Sequence, residues 1–128
     1  LGKDTELNVS TGDEIFIMGN KILLGWAIEN LIRNGIDSIK SSKGKVAITV
    51  KKEGNYACID ITDNGAGINR KDWNNIFSPG YSSKKRGWGL GLSLVKRIIN
   101  EIHGGKIMVI SSTVGEGTTF QIKLECQR

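Results

Sequence analysis

The hydrophobic period changes along this chain, and that change limits the architecture more than any other feature. Between about Asn20 and Ile39, Leu24, Ile28, Leu31, Ile32 and Ile39 recur at helical spacing, with Asn20 available as an N-cap. Val46, Ile48 and Val50 then alternate with a period of two, as do Ala57, Ile59 and Ile61, and the turn-prone Glu53-Gly54-Asn55 joins the two runs. This predicts a long, mostly buried helix followed by an antiparallel hairpin. Helical spacing returns from Leu90, with Leu94, Val95, Ile98 and Ile102, and His103-Gly104-Gly105 supplies a glycine stop. A last hairpin is expected from Ile107 and Val109 to Phe120, Ile122 and Leu124, turning over Val114 to Gly117. Helices and antiparallel strands in blocks, without strict alternation, indicate an α+β two-layer sandwich. Residues 69 to 87 lack a period and read as a mobile loop with one helical turn, carrying Trp73, Ile76, Phe77 and the sole proline, Pro79.

Size and composition narrow the classes. A chain of 128 residues with 38% hydrophobic content can bury one core and is short for two, so residues 1–128 read as one domain. No stretch approaches the roughly 18 apolar residues of a membrane span, and the opening LGKDTEL lacks the parts of a signal peptide. The expectation is a cytoplasmic fragment of a larger protein that could itself be membrane-anchored. Cys58 and Cys126 lack metal-ligand or redox spacing and read as reduced thiols. The net charge of +5 is mostly dispersed, with no basic stripe interleaved with aromatics, which ranks nucleic acid last among partners.

Glycine makes up 17 of 128 residues, against a usual share of about 7%. It concentrates in DNGAGI (63–68), GWGLG (87–91), HGG (103–105) and GEG (115–117). Asn30, Asn34 and Asp37 form a polar stripe at i, i+4 and i+7, suited to a hydrated cation such as Mg²⁺ or simply to solvent. Asp63 follows a strand and precedes a tight Asn-Gly turn. An ionised carboxylate there can accept from the amino group of adenine and repels the carbonyl of guanine, although Asp-Asn-Gly is also a common turn. GWGLG opens a helix, where free N–H groups favour phosphate. It follows the basic loop Lys84-Lys85-Arg86 and no strand, which argues against a Rossmann fingerprint.

In this order and at these intervals, the motifs resemble the histidine kinase branch of the family that includes gyrase, Hsp90 and the mismatch-repair ATPases. Asn30-Leu-Ile-Arg-Asn34 looks like its N box, Asp63 to Ile68 its G1 box, Phe77 to Lys84 its F box region, Gly87 to Leu92 its G2 box, and Gly115 to Phe120 its last glycine motif. The resemblance runs from about residue 5 to 125. It implies a Bergerat ATP-binding fold, with helices on one face of a mixed sheet and Mg-ATP under a flexible lid. Asn34 would hold magnesium, Asn30 would support the phosphate end, and Asp63 would read adenine. Gly65 and Gly67 would shape the base pocket, and Gly87, Gly89 and Gly91 would meet phosphates. Lys84, Lys85 and Arg86 become candidates for pairing with phosphate, and Ile68, Phe77, Leu90, Leu92 and Thr118 for further nucleotide contacts. Asp37 and Ser38 depart from the family pattern, which commonly carries a lysine and an aromatic there.

Hydrolytic members of the family set a water-activating glutamate four residues before the magnesium asparagine. Here that position is Asn30, and Glu29 lies about 100° away around the helix. The resemblance therefore implies phosphoryl transfer to a histidine on an adjoining dimerisation domain, with a response regulator receiver domain as the next acceptor. His103, the sole histidine, lacks the setting of a phosphoacceptor, so the fragment is expected to bind ATP without labelling itself and to be monomeric. The alternatives are another ATPase of the same fold, a serine kinase that regulates sigma factors, and a nucleotide-binding regulatory module without activity.

Overall fold

The computed structural model describes residues 5–12, 14–40, 43–81 and 91–127. Strand β1 (Thr5–Thr11) leads to helix α1 (Lys21–Ser38) and the hairpin β2 (Gly44–Glu53) and β3 (Tyr56–Asp63). Two 3₁₀ turns follow, at Arg70–Asp72 and Asn75–Phe77. Helix α2 (Gly91–Lys96) runs on as a π-helical turn over Arg97–Ile102, and β4 (Lys106–Thr113) and β5 (Gly117–Glu125) close the chain. The five strands make one sheet in the order β1-β2-β3-β5-β4, parallel between β1 and β2 and antiparallel elsewhere. This is the α+β fold of a mixed sheet with helices that the motifs implied.

Helix α1 starts where its cap predicts, with the Asn20 side chain accepting the N–H of Leu23 at 3.0 Å. Its most buried stripe is Ala27, Leu31 and Gly35, flanked by Leu24, Ile28, Ile32 and Ile39 at half burial. The hairpin forms in the register that alternation dictates, Ile48 opposite Ile61 and Val50 opposite Ile59. On β5 every second residue, from Thr118 to Leu124, turns into the core beside Val46, Ile61, Ile107 and Val109. Helix α1 packs on β2 and β3, and the π turn reaches β4.

Two expectations need correction. Leu94 is exposed on α2, and beyond it Ile102 is exposed while Ile99 is fully buried, because the π turn advances the face beyond 3.6 residues per turn and rotates Ile102 away from the sheet. Residues 70–77 are not a mobile loop. Ile76 and Phe77 are buried, the Trp73 indole donates to the carbonyl of Ile68 at 3.1 Å, and the Arg70 guanidinium lies 4.4 Å from the Trp73 ring.

Candidate functional site

Asp63 is the pivot of the site. It ends β3 opposite Val46 on β2 and Thr118 on β5, and it is buried at 6% exposure. A carboxylate so placed needs donors. Its Oδ1 accepts the N–H of Gly65 at 2.8 Å, closing an Asx turn, and lies 3.4 Å from the Ser38 hydroxyl, which donates mainly to the Gly35 carbonyl at 2.8 Å. Gly35 of α1 lies directly against it, and a Cβ there would stand 3.2 Å from Oδ2. The missing side chain of Gly35 therefore lets helix and carboxylate meet.

The turn after Asp63 is clamped from both sides. The N–H of Ala66 donates to Ser38 at the end of α1, and the N–H of Gly115 donates to the carbonyl of Ala66 at 2.7 Å. Gly65 is buried against Ser38, which leaves no room for a side chain. Gly67 has φ +79° and sits against the Thr113 carbonyl, a backbone conformation and a clearance available only to glycine. Asn64 serves the sheet by bonding to Lys43 and Lys45 at the start of β2. The N–H of Ile68 donates to the Ser112 hydroxyl, which also bonds the Thr118 hydroxyl and the Gly117 carbonyl at 2.8 and 3.0 Å. An open polar depression of about 210 Å³ lies at this end of the sheet, lined by Thr62, Ser111, Thr113 and Thr119 as well as by Asp63 and Thr118.

The other end of the site lies up α1. Asn30 donates its amide N–H to the carbonyl of Trp26 at 2.9 Å, and its Oδ1 faces Gly91, where a Cβ would be 3.9 Å away. Asn34 is half-buried between Asn30 and Gly35 on the same helix. From Asn30 to Ser38 the axis advances on the order of 12 Å. One helix thus joins a buried carboxylate at its C-terminal end to the opening of α2 nearer its N-terminal end. Phe77 packs edge-on against Phe120, with ring centroids 6.2 Å apart, and the Lys96 ammonium lies 5.9 Å from its ring. Leu92 is half-buried against the same core. Of the expected site residues, Asp63, Gly65, Gly67, Ile68 and Thr118 gather around one turn. Asn30 and Gly91 approach each other at the other end. Lys84, Lys85, Arg86, Gly87, Gly89 and Leu90 lie outside the described residues.

The family profile of histidine kinase-, DNA gyrase B-, and HSP90-like ATPases matches residues 19–128. The chain belongs to this family. Sporulation kinase B of Bacillus subtilis is 34% identical over 122 residues, covering 95% of this chain and 28% of that kinase. The chain therefore spans little more than a quarter of that relative's length. The catalytic domain of the histidine kinase ThkA superposes with a TM-score of 0.83 at 26% identity, covering 96% of this chain and 80% of that domain. The mycobacterial sensor histidine kinase MprB gives 0.85 at 27% identity, covering 97% and 83%. Among the described residues no helix is long and apolar enough to cross a membrane.

Sequence reasoning missed three residues of this site. Gly35 could have been found from its place in the Ala27-Leu31-Gly35 stripe, where a residue without a side chain inside a helix calls for a neighbour that needs the space. Ser38 stood out only as a departure from the family pattern, yet it touches both Asp63 and Gly65. Ser112 carried no local signal.

Proposed function

We propose that this chain binds Mg-ATP and directs its γ-phosphate to a histidine on an adjoining dimerisation domain of a two-component sensor kinase. The observation that carries this reading is the buried Asp63 carboxylate set against Gly35, on the same helix that presents Asn30 to Gly91. The carboxylate has the acceptor chemistry for an adenine amino group, and its burial makes a mismatched guanine carbonyl costly. Thr118, Gly65, Gly67 and Ile68 complete the base end, with Phe77, the first residue of the F box region, packed on Phe120.

The residues at the other end fit a phosphate-bound cation. Asn34 and Asn30 offer neutral amide oxygens of the kind magnesium takes alongside phosphate ligands. When bound, magnesium supplies charge neutralisation at the phosphates. This chain's own residues hold and orient the nucleotide, and among the described residues of α1 none is placed as a base for water. Position 30 is an amide, which is not a base and gives one of its N–H groups to the carbonyl of Trp26, and Glu29 is exposed. An acceptor arriving on another domain suits such a site, since phosphoryl transfer depends mainly on positioning and charge stabilisation. A receiver domain of a response regulator is the expected next acceptor.

Calorimetric titration with Mg-ATP and Mg-GTP, followed by γ-labelled ATP with and without the parent's histidine-bearing domain, tests the proposal. The expected result is ATP-selective binding, acid-labile label on that domain, and none on His103. Appreciable ATP turnover by the chain alone would point to the hydrolytic branch, and absence of nucleotide binding would overturn the reading.

A further inference from the structure

The sole histidine lies away from the residues assigned above. His103 ends the π turn, its backbone N–H bonding to the carbonyl of Ile98 at 3.2 Å. That geometry brings its ring Nδ1 to 2.8 Å from the same carbonyl, while Nε2 stands 2.9 Å from the backbone nitrogen of Asn20. A carbonyl can only accept and a backbone amide can only donate, so Nδ1 carries the proton and Nε2 offers its lone pair. The ring is neutral and its tautomer is fixed. It also rests on Gly19, where a Cβ would come within 3.0 Å of the ring Cδ2.

Asn20 is the N-cap of α1, so its backbone N–H belongs to the residue that starts the helix bearing Asn30 and Asn34. The turn that His103 ends continues α2, which opens at Gly91. A single imidazole therefore ties the beginning of one helix to the end of the other, and the approach of Gly91 to the Asn30 side chain depends on how those two helices are set. On the nucleotide-binding reading above, on which this inference rests, we infer that His103 is a positioning residue. It holds the N box helix and the helix of the second glycine motif in register through its neutral Nδ1–H form.

Protonation would place a second N–H at Nε2, facing the N–H of Asn20, and would break the tie. The groups that meet the ring, at Gly19, Asn20 and Ile98, carry no charge. The charged side chains next to them in the chain, Lys21, Glu101 and Lys106, are exposed, with Glu101 held by Arg97 at 3.9 Å. On β5, which passes Gly105, Lys123 lies over the Tyr56 ring.

Because the chain has one histidine, long-range ¹H–¹⁵N correlation of the labelled protein reports this ring alone. At pH 8 the Nδ1–H tautomer is expected, and an Nε2–H or averaged ring would overturn the inference. Mg-ATP affinity is then measured at pH 8 for the wild type, His103→Ala and His103→Gln, with melting of each nucleotide-free protein. His103→Ala should weaken binding roughly three- to tenfold, the worth of one ordinary hydrogen bond. His103→Gln, whose Oε1 can accept from Asn20, should recover most of it. Unchanged affinity in His103→Ala, with a lower melting temperature only, would reduce His103 to a structural cap and sink the inference. A wild type that binds no ATP at pH 8 would instead count against the nucleotide reading, and the ring spectrum would still decide the tautomer.

Discussion

Replacing Asp63 with asparagine isolates the recognition step, because the substitution preserves shape and changes only the acceptor. Asparagine can keep its Oδ1 toward the N–H of Gly65, now bonded at 2.8 Å, and toward the Ser38 hydroxyl. The Asx turn should survive, and the melting temperature of the nucleotide-free protein should move little. If the carboxylate accepts from the adenine amino group as proposed, an amide nitrogen in place of one carboxylate oxygen would set a donor against a donor. A hydrogen bond to a charged partner contributes about 1.5–3 kcal/mol. Its loss should therefore raise the Kd for Mg-ATP by roughly ten- to a hundredfold. Calorimetry on both proteins gives the ratio directly. Wild-type affinity in Asp63→Asn would refute the argument, as would equal binding of Mg-GTP and Mg-ATP by the wild type. A fall in stability as large as the fall in affinity would assign the carboxylate to folding and not to recognition.

Gly67→Ala should destabilise the chain by about 1–3 kcal/mol from its left-handed backbone alone, with an added clash at the Thr113 carbonyl; urea unfolding measures the sum. Asn34→Ala should weaken ATP binding in the presence of magnesium and leave it nearly unchanged in chelator, and equal losses in both titrations would place the cation elsewhere. Burial first, and then the Glu53 carboxylate, push the Cys58 thiol above its ordinary 9.0, so a thiol reagent near neutral pH should modify the half-buried Cys126 long before Cys58. Since that folded value is raised, the stability linked to the protonated thiol is fully present below the unfolded thiol's range. It is lost as pH rises through the folded value, which denaturant titrations of wild type and Cys58→Ala across alkaline pH would detect.

Much of this site was legible because it is built from local rules. The Asn20 cap, the Ile48–Ile61 pairing and the Asp63 turn each follow from spacing within a few residues. What escaped depends on irregularity or on distant partners. The π turn shifts the inward face from Ile102 to Ile99, and nothing in residues 97–102 announces the extra residue per turn. A β-bulge between Val109 and Ser111 similarly displaces the alternation of β4 and brings Ser112 opposite Thr118, whereas strict period two would have turned it outward. The stripe position of Gly35 signals a neighbour that needs space, but that this neighbour is Asp63 becomes visible only once β3 delivers it to α1. Strand β1 gave a weak signal because its core-side residues, Leu7 and Val9, remain largely exposed, and its choice of β2 as a parallel partner is not a local property.

That parallel pairing bears on the order in which the chain assembles. The β2–β3 hairpin closes through Gly54 and Asn55, and β4 closes on β5 through a turn of similar size, so both pairs can form early at little loop entropy. Thr5 meets Gly44 only after the chain has gone around the whole of α1. With most of its surface left in solvent, β1 gains little apolar burial to offset that closure. It should dock last during folding and open first in the native state, giving β1 amides faster hydrogen exchange than those of β3 and β5 at the centre of the sheet.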